Sequence, residues 1–120
     1  MSTRFESDDA DLTIESRREG NATVVATRGE VTVFSSPTLR EAVRKIVAAR
    51  PGRIVFDLTG TSYVDSSGVA TFVEALKLVR QHQGEVVLAG VSERVRGVFE
   101  IARLDTLFPM VATVEEALKP

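Results

Sequence analysis

The sequence predicts an α/β fold in which a mixed β-sheet of about four to five strands packs against about four helices. Two observations lead to this class: β-branched runs near the start read as a hairpin, and later apolar runs alternate with segments of helical periodicity. The chain has 120 residues, the length of one domain. We expect residues 1–10 to be a mobile acidic tail and residues 11–120 to form a single domain.

The N-terminal part of the domain favours two antiparallel strands. Residues 12–14 alternate polar and apolar, and residues 22–28 are rich in Val and Thr. A polar turn over residues 17–21 ends in Gly20-Asn21.

The remaining elements alternate between helix and strand. Ser36-Pro37 predicts a first helix with Ser36 as N-cap. A second helix is expected from Ser66 or Ser67, a third after Ser92, and a short last one after Thr113. The apolar runs between them, at residues 54–56 and 86–89, predict buried strands, and residues 110–111 predict a short edge strand.

Composition excludes several functional classes. The formal net charge of −2 and the pI of about 5.4 provide no basic field for nucleic acid, so we expect no direct nucleic-acid partner. The absence of cysteine excludes disulfides and thiolate metal sites. No signal-like or membrane-spanning run is present, which favours a cytoplasmic protein without membrane insertion. We expect neither a metal nor another cofactor.

The most informative segment is residues 54–68, IVFDLTGTSYVDSSG. We expect a buried strand to end at Asp57, a loop to follow, and Asp65-Ser66-Ser67-Gly68 to open a helix. Polar side chains at such a strand-to-helix entry lie at the carboxyl edge of the sheet, where α/β folds usually carry their sites. Helix capping alone would also account for an Asp and a Ser at this position.

Residues 29–118 resemble the STAS family of anti-sigma-factor antagonists. The resemblance is carried by DLTGTSYVDSSGVATFVEAL, by the strand VVLA and by SERVRGVFE. It implies a phosphorylation-controlled binding protein whose unmodified form binds a GHKL-type serine kinase that is also an anti-sigma factor. It also implies a serine phosphatase that reverses the modification.

The resemblance assigns roles to particular residues. It implies that Ser66 accepts the phosphate, with Asp65, Ser67 and Gly68 shaping the loop, and Ser67 remains an alternative acceptor. Phosphate adds roughly −1.5 to −2 charges, which a helix N-terminus tolerates but a partner surface shaped for a hydroxyl does not.

The partner surface is expected to combine this helix start with the segment after Gly29-Glu30. The candidate contact residues are Thr32, Phe34, Ser35, Val69 and Thr71. Thr32 stands where the family commonly has Asp, which affects the identity of the partner more than the fold.

Three other interpretations compete with this one. A response-regulator receiver would use Asp57, but the acidic pair Asp8-Asp9 precedes the first strand and is misplaced for magnesium. A STAS scaffold or regulatory subunit of a transporter or stress complex would share the fold without a phosphorylation cycle. An enzyme is disfavoured, because His82 is the only histidine and reads as a solvated cation at a helix end, and Glu74 with Lys77 reads as a surface pair.

Overall fold

The computed structural model describes residues 2–6 and 12–120 of the chain. In this part the chain forms one mixed sheet. Its strands are β1 (Ser2–Glu6), β2 (Leu12–Glu19), β3 (Ala22–Val31), β4 (Arg53–Val64), β5 (Glu85–Ala89) and β6 (Met110–Val111). The helices are α1 (Ser36–Ala48), α2 (Ser66–Arg80), α3 (Glu93–Ile101) and α4 (Val114–Ala117).

The strands lie in the sheet in the order in which they occur in the chain. β1, β2 and β3 are antiparallel neighbours, whereas β3, β4, β5 and β6 are parallel. Parallel neighbours require crossovers, and α1, α2 and α3 provide them. The predicted fold class is therefore confirmed, with six strands in the described residues instead of four to five.

The two faces of the sheet bury different cores. On one face, side chains of α1, α2 and α3 pack against β2, β3, β4 and β5, and Phe56, Phe72 and Phe99 are fully buried there. On the other face a smaller cluster includes Val24, Val55 and Ala117 of α4. Burial of the central strands on both faces explains why residues 54–56 are continuously apolar.

The N-terminal hairpin is confirmed and is longer than predicted. β2 continues to Glu19, which pairs with Ala22, so the loop is only Gly20-Asn21. Gly20 has φ +62°, as the first position of a tight hairpin turn often requires.

The expectation of a tail over residues 1–10 is wrong for Ser2–Glu6, which forms β1 and pairs with β2. Without β1, the backbone groups along one side of β2 would be an open sheet edge, and pairing satisfies them. The acidic residues Asp8, Asp9 and Asp11 lie outside the described residues.

The prediction that a loop follows Asp57 is also wrong. β4 runs through Thr59-Gly60-Thr61-Ser62 to Val64, and β3 follows it with register shifts between Ala26 and Arg28 and between Gly29 and Glu30. These irregularities let the two strands pair to their carboxyl ends. β3 and β4 therefore end side by side, and the segments that follow them meet.

Candidate functional site

Asp65 joins the two segments that leave the ends of β3 and β4. It is the N-cap of α2, and its Oδ1 accepts a hydrogen bond from the Gly68 amide at 3.0 Å. Its Oδ2 accepts another from the Val33 amide at 3.0 Å, and its own amide donates to the Val31 carbonyl at 3.0 Å. One carboxylate thus caps the helix and fastens the loop after β3 to it.

Ser66 is the first residue of α2 and is exposed to solvent. Its hydroxyl makes no hydrogen bond with any residue that the structure describes. Asp65 engages the amide of Gly68, so the amides of Ser66 and Ser67 remain available at the start of the helix. The arrangement presents a free hydroxyl beside unoccupied N–H donors.

Ser67 is placed differently. It is half-buried, and its carbonyl accepts a hydrogen bond from the Thr71 hydroxyl at 3.0 Å. Ser66 and Ser67 therefore have the same chemistry but unequal access, and Ser66 is the more exposed of the two.

Gly68 is the only residue type that fits the packing of the helix start against β3 and β4. A Cβ atom at this position would lie 2.6 Å from the Val31 carbonyl oxygen and 2.7 Å from Cγ1 of Val64. The close approach brings α2 against the strand ends, which positions Ser66 at the edge of the sheet.

The segment after β3 is a tight turn held by two hydroxyls. The Ser35 hydroxyl accepts from the Thr32 amide at 2.9 Å and donates to the Glu30 carbonyl at 2.7 Å. The Thr32 hydroxyl accepts from the Phe34 amide at 3.2 Å. The turn leaves Val33 56% and Phe34 73% exposed, next to the start of α2.

The role of Ser36 as N-cap is corrected by one residue. α1 begins at Ser36, its N-cap is Ser35, and the Ser35 side chain makes no capping hydrogen bond. The reason is that the Ser35 hydroxyl is already used inside the turn.

Three of the predicted contact residues are buried. Ser35 is 0% exposed, Thr71 1% and Val69 5%, so the expectation of surface contacts there is wrong. Thr71 bonds back to Ser67 within the helix, and Val69 belongs to the core face. Of the predicted contact residues, Phe34 is fully accessible and Thr32 is partly accessible.

Sequence reasoning did not find a groove of about 690 Å³ between α2 and α3. It begins at Ser66, and Lys77 is the last α2 residue along it. The wall is apolar, and Ile101 on its α3 side is 88% exposed. The sequence signal for this groove was the apolar Ile101 at an exposed position of α3.

Several other predicted side chains have structural roles. Asp57 accepts hydrogen bonds from the amide and hydroxyl of Thr59. His82 is half-buried instead of solvated, and its Nε2 lies 2.7 Å from the Pro51 carbonyl oxygen. Glu74 does not pair with Lys77.

The partners of Glu74 are on the neighbouring helix. Its carboxylate binds Arg40 Nε at 2.9 Å and Arg44 Nη2 at 3.1 Å, so it links α2 to α1.

Residues 13–117 match the family model of the STAS domain. This match covers most of the chain, including the whole β3–β4–α2 site. The chain belongs to the STAS domain family. The resemblance stated from the Asp-Ser-Ser-Gly segment is therefore confirmed.

Comparison with individual STAS proteins gives consistent results. The chain is 39% identical over 80 residues to an anti-sigma-B factor antagonist of Listeria monocytogenes, covering 66% of this chain and 69% of the relative. An anti-sigma factor antagonist from Mycobacterium paratuberculosis superposes with a TM-score of 0.83 at 23% identity, over 94% of this chain and 96% of the other.

The antagonist SpoIIAA is a third similar protein. Its unphosphorylated form has a TM-score of 0.75 at 25% identity and covers 88% of this STAS chain and 92% of its own. The phosphorylated form of SpoIIAA from Bacillus has a TM-score of 0.71 at 22% identity, over 88% of this chain and 96% of its own. The fold of this STAS domain is thus also found in a protein solved in both modification states.

In the described part of this STAS chain, no helix is both long enough and apolar enough to cross a membrane.

Proposed function

We propose that this STAS protein is an anti-sigma factor antagonist that phosphorylation of Ser66 switches off. The unmodified form binds a GHKL-type serine kinase that serves as the anti-sigma factor, and this releases a sigma factor. Phosphorylation by the same kinase ends the binding, and a serine phosphatase restores it. The protein acts in the cytoplasm as a binding partner and has no catalytic activity of its own.

The observation that carries this proposal is the state of the Ser66 hydroxyl. It is exposed, and it makes no hydrogen bond within the described residues. A kinase can therefore reach it without displacing any internal partner. The names of the Listeria and SpoIIAA relatives support the antagonist role, and the phosphorylated SpoIIAA structure supports a phosphate cycle.

The position of Ser66 at the first turn of α2 supports a modification that preserves the fold. The phosphate would lie near the free amides and the positive end of the helix dipole, which stabilise an anion. The domain would keep its structure, while a partner surface shaped for a hydroxyl would meet a dianion. An unpaired charge buried in an interface costs several kcal/mol, which is enough to release the partner.

The Thr32–Phe34 turn supplies the second part of the proposed contact surface. The Thr32 hydroxyl holds the turn as an Asp side chain would, so replacement of the usual Asp keeps the turn and removes one negative charge. Val33 and Phe34 offer the partner exposed apolar area beside Ser66. The partner is therefore expected to present less positive charge to this turn than the partners of relatives with Asp.

Phosphorylation mapping on protein from its native cells tests the proposal. Tryptic cleavage after Arg53 and Lys77 places Ser66 and Ser67 on one peptide, and fragmentation distinguishes them. We expect phosphate on Ser66 in at least one growth or stress condition. A peptide that is unmodified in all conditions would favour a STAS scaffold instead.

Variants separate the two serines. We expect Ser66→Ala to abolish phosphorylation and to keep the kinase bound, and Ser66→Asp to weaken that binding. Ser67→Ala is the matched control, since it removes the same hydroxyl one residue away and should leave both properties within about twofold. Equal loss of phosphate in both single variants would contradict the assignment to Ser66.

A further inference from the structure

The groove between α2 and α3 is apolar along most of its length. Its wall is formed by aliphatic side chains of both helices and of the residues that follow α3: Val69, Ala70, Val73, Val98, Ile101, Ala102 and Leu104. Its volume of about 690 Å³ lies within the range of sites that hold small ligands. An apolar wall of this kind complements an apolar ligand body.

The charged residues along the groove leave one positive charge without a partner. Glu74 lines the groove, but its carboxylate is neutralised by Arg40 and Arg44. Lys77 makes no ion pair or hydrogen bond with the described residues, and it is exposed. The groove therefore complements a ligand that carries one negative charge.

The dimensions define the ligand further. Ser66 and Lys77 are the first and last α2 residues along the groove, and they are about 16 Å apart at the rise of an α-helix. This length accommodates an extended hydrocarbon chain of up to about fourteen carbons. Between these two residues α2 presents mainly aliphatic side chains, which suits an unbranched chain better than a polar backbone.

We propose that this groove binds a medium-chain aliphatic carboxylate. The carboxylate lies at the Lys77 ammonium, and the hydrocarbon chain extends along the aliphatic wall toward Ser66. Binding needs neither phosphorylation nor a sigma-factor pathway, so the proposal stands or fails separately from the proposed function.

Titration of the purified, ¹⁵N-labelled chain with decanoate below its micelle concentration tests the proposal. We expect saturable amide shifts concentrated on residues of the groove such as Ala70, Val73 and Ala102. Lys77→Gln should weaken decanoate binding about two- to fivefold, the effect of an exposed ion pair, and leave the binding of the neutral decanol unchanged. Lys119→Gln, which removes the same charge at the C-terminus, should change neither.

Steric closure of the groove gives an independent measurement. Ala70→Trp fills the wall from an exposed helix position and should abolish binding of both ligands, whereas Ala48→Trp on the exposed end of α1 should not. If Ala70→Trp does not fold by circular dichroism, Ala102→Trp closes the groove from α3. Shifts that do not saturate, or equal effects of Lys77→Gln on decanoate and decanol, would overturn the proposal.

Discussion

At the scale of single residues, the site depends on the carboxylate of Asp65 and on a glycine, Gly68, at the start of α2. Asp65 accepts hydrogen bonds from two amides that belong to different segments, Gly68 in α2 and Val33 in the turn. Gly68 lets the helix start touch the Val31 carbonyl. Together they determine where the Ser66 hydroxyl points, although neither carries the proposed modification.

Replacement of Asp65 by Ala should destabilise the protein by about 1–3 kcal/mol. The change removes an N-cap, which alone costs about 0.5–2 kcal/mol, and it also leaves the Val33 amide without its acceptor. Urea denaturation measures the difference. Asp65→Asn is the control, because its Oδ1 keeps the cap on the Gly68 amide while its NH2 group cannot accept from the Val33 amide, so we expect a smaller loss than for Ala. Equal losses for Ala and Asn would contradict the capping role.

Replacement of Gly68 by Ala should lower the unfolding free energy by about 1–3 kcal/mol. The new Cβ would overlap a backbone oxygen that cannot move cheaply. Gly97→Ala in α3 is the matched control, because a Cβ there meets nothing within 4 Å. That change should stabilise the protein by about 0.5–1 kcal/mol. Thermal unfolding of both variants would show opposite shifts, and shifts of the same sign would contradict the close approach.

At the scale of elements, the length of β4 decides the geometry of the site. The strand reaches Val64 because Thr61 turns a buried hydroxyl toward β3, where it donates to the Thr27 carbonyl at 3.0 Å. The two hydroxyl oxygens are 2.6 Å apart, so the Thr27 hydroxyl donates to Thr61. This buried pair joins the strands at the first register shift.

Replacement of Thr61 by Val should cost about 1–3 kcal/mol, because the buried Thr27 hydroxyl then has no acceptor. The double variant Thr27→Val with Thr61→Val should recover part of this loss, since it removes both polar groups. A double-mutant cycle by urea denaturation gives the coupling free energy. A value near zero would mean that the pair does not hold the strand ends together.

The extension of β4 also shows what the sequence could and could not predict. The central strands and the helix starts at Ser66 and Ser92 were predicted from apolar periodicity and from capping residues, and the family was predicted from the resemblance of residues 29–118 to STAS proteins. Residues 59–62 are Thr, Gly, Thr and Ser, a composition typical of turns, and only pairing with β3 makes them a strand. Because the pairing with β3 is a tertiary contact, the composition of residues 59–62 alone could not predict that they form a strand.

Burial within α2 was missed for a similar reason. Val69 and Thr71 closely follow the segment of the proposed phosphoacceptor, but their exposure depends on which side of the helix faces the sheet. Gly68 brings this first turn against β3 and β4, and that contact also buries the polar Thr71, which the spacing of apolar residues does not indicate. The groove arises from two helices that are distant in sequence, so it too required the structure.

At the scale of the whole molecule, a row of four aromatic rings runs through the main core. Phe56 and Phe72 have centroids 4.9 Å apart, Phe72 and Phe99 5.9 Å, and Phe99 and Phe108 5.5 Å. The row connects β4, α2, α3 and the segment before β6. It fixes the two helices that form the groove relative to the sheet.

Replacement of Phe72 by Ala should cost about 3–5 kcal/mol, since its ring is fully buried between two others. Such a loss is a large part of the total stability of a domain, so the variant should melt well below the parent protein. Phe34→Ala is the control, because that ring is 73% exposed and its loss should change stability by less than about 0.5 kcal/mol. Scanning calorimetry compares them, and similar melting temperatures would contradict the role of the aromatic row.

The exposure of the Ser66 hydroxyl has a consequence for the speed of the proposed switch. A hydroxyl that is already accessible requires no opening of the domain before it reacts, so no slow internal motion precedes the modification. The response time of the pathway then depends on the amounts and turnover rates of the kinase and the phosphatase. Under the proposed function, a cell could adjust that time by changing the expression of either enzyme, with no change in this protein.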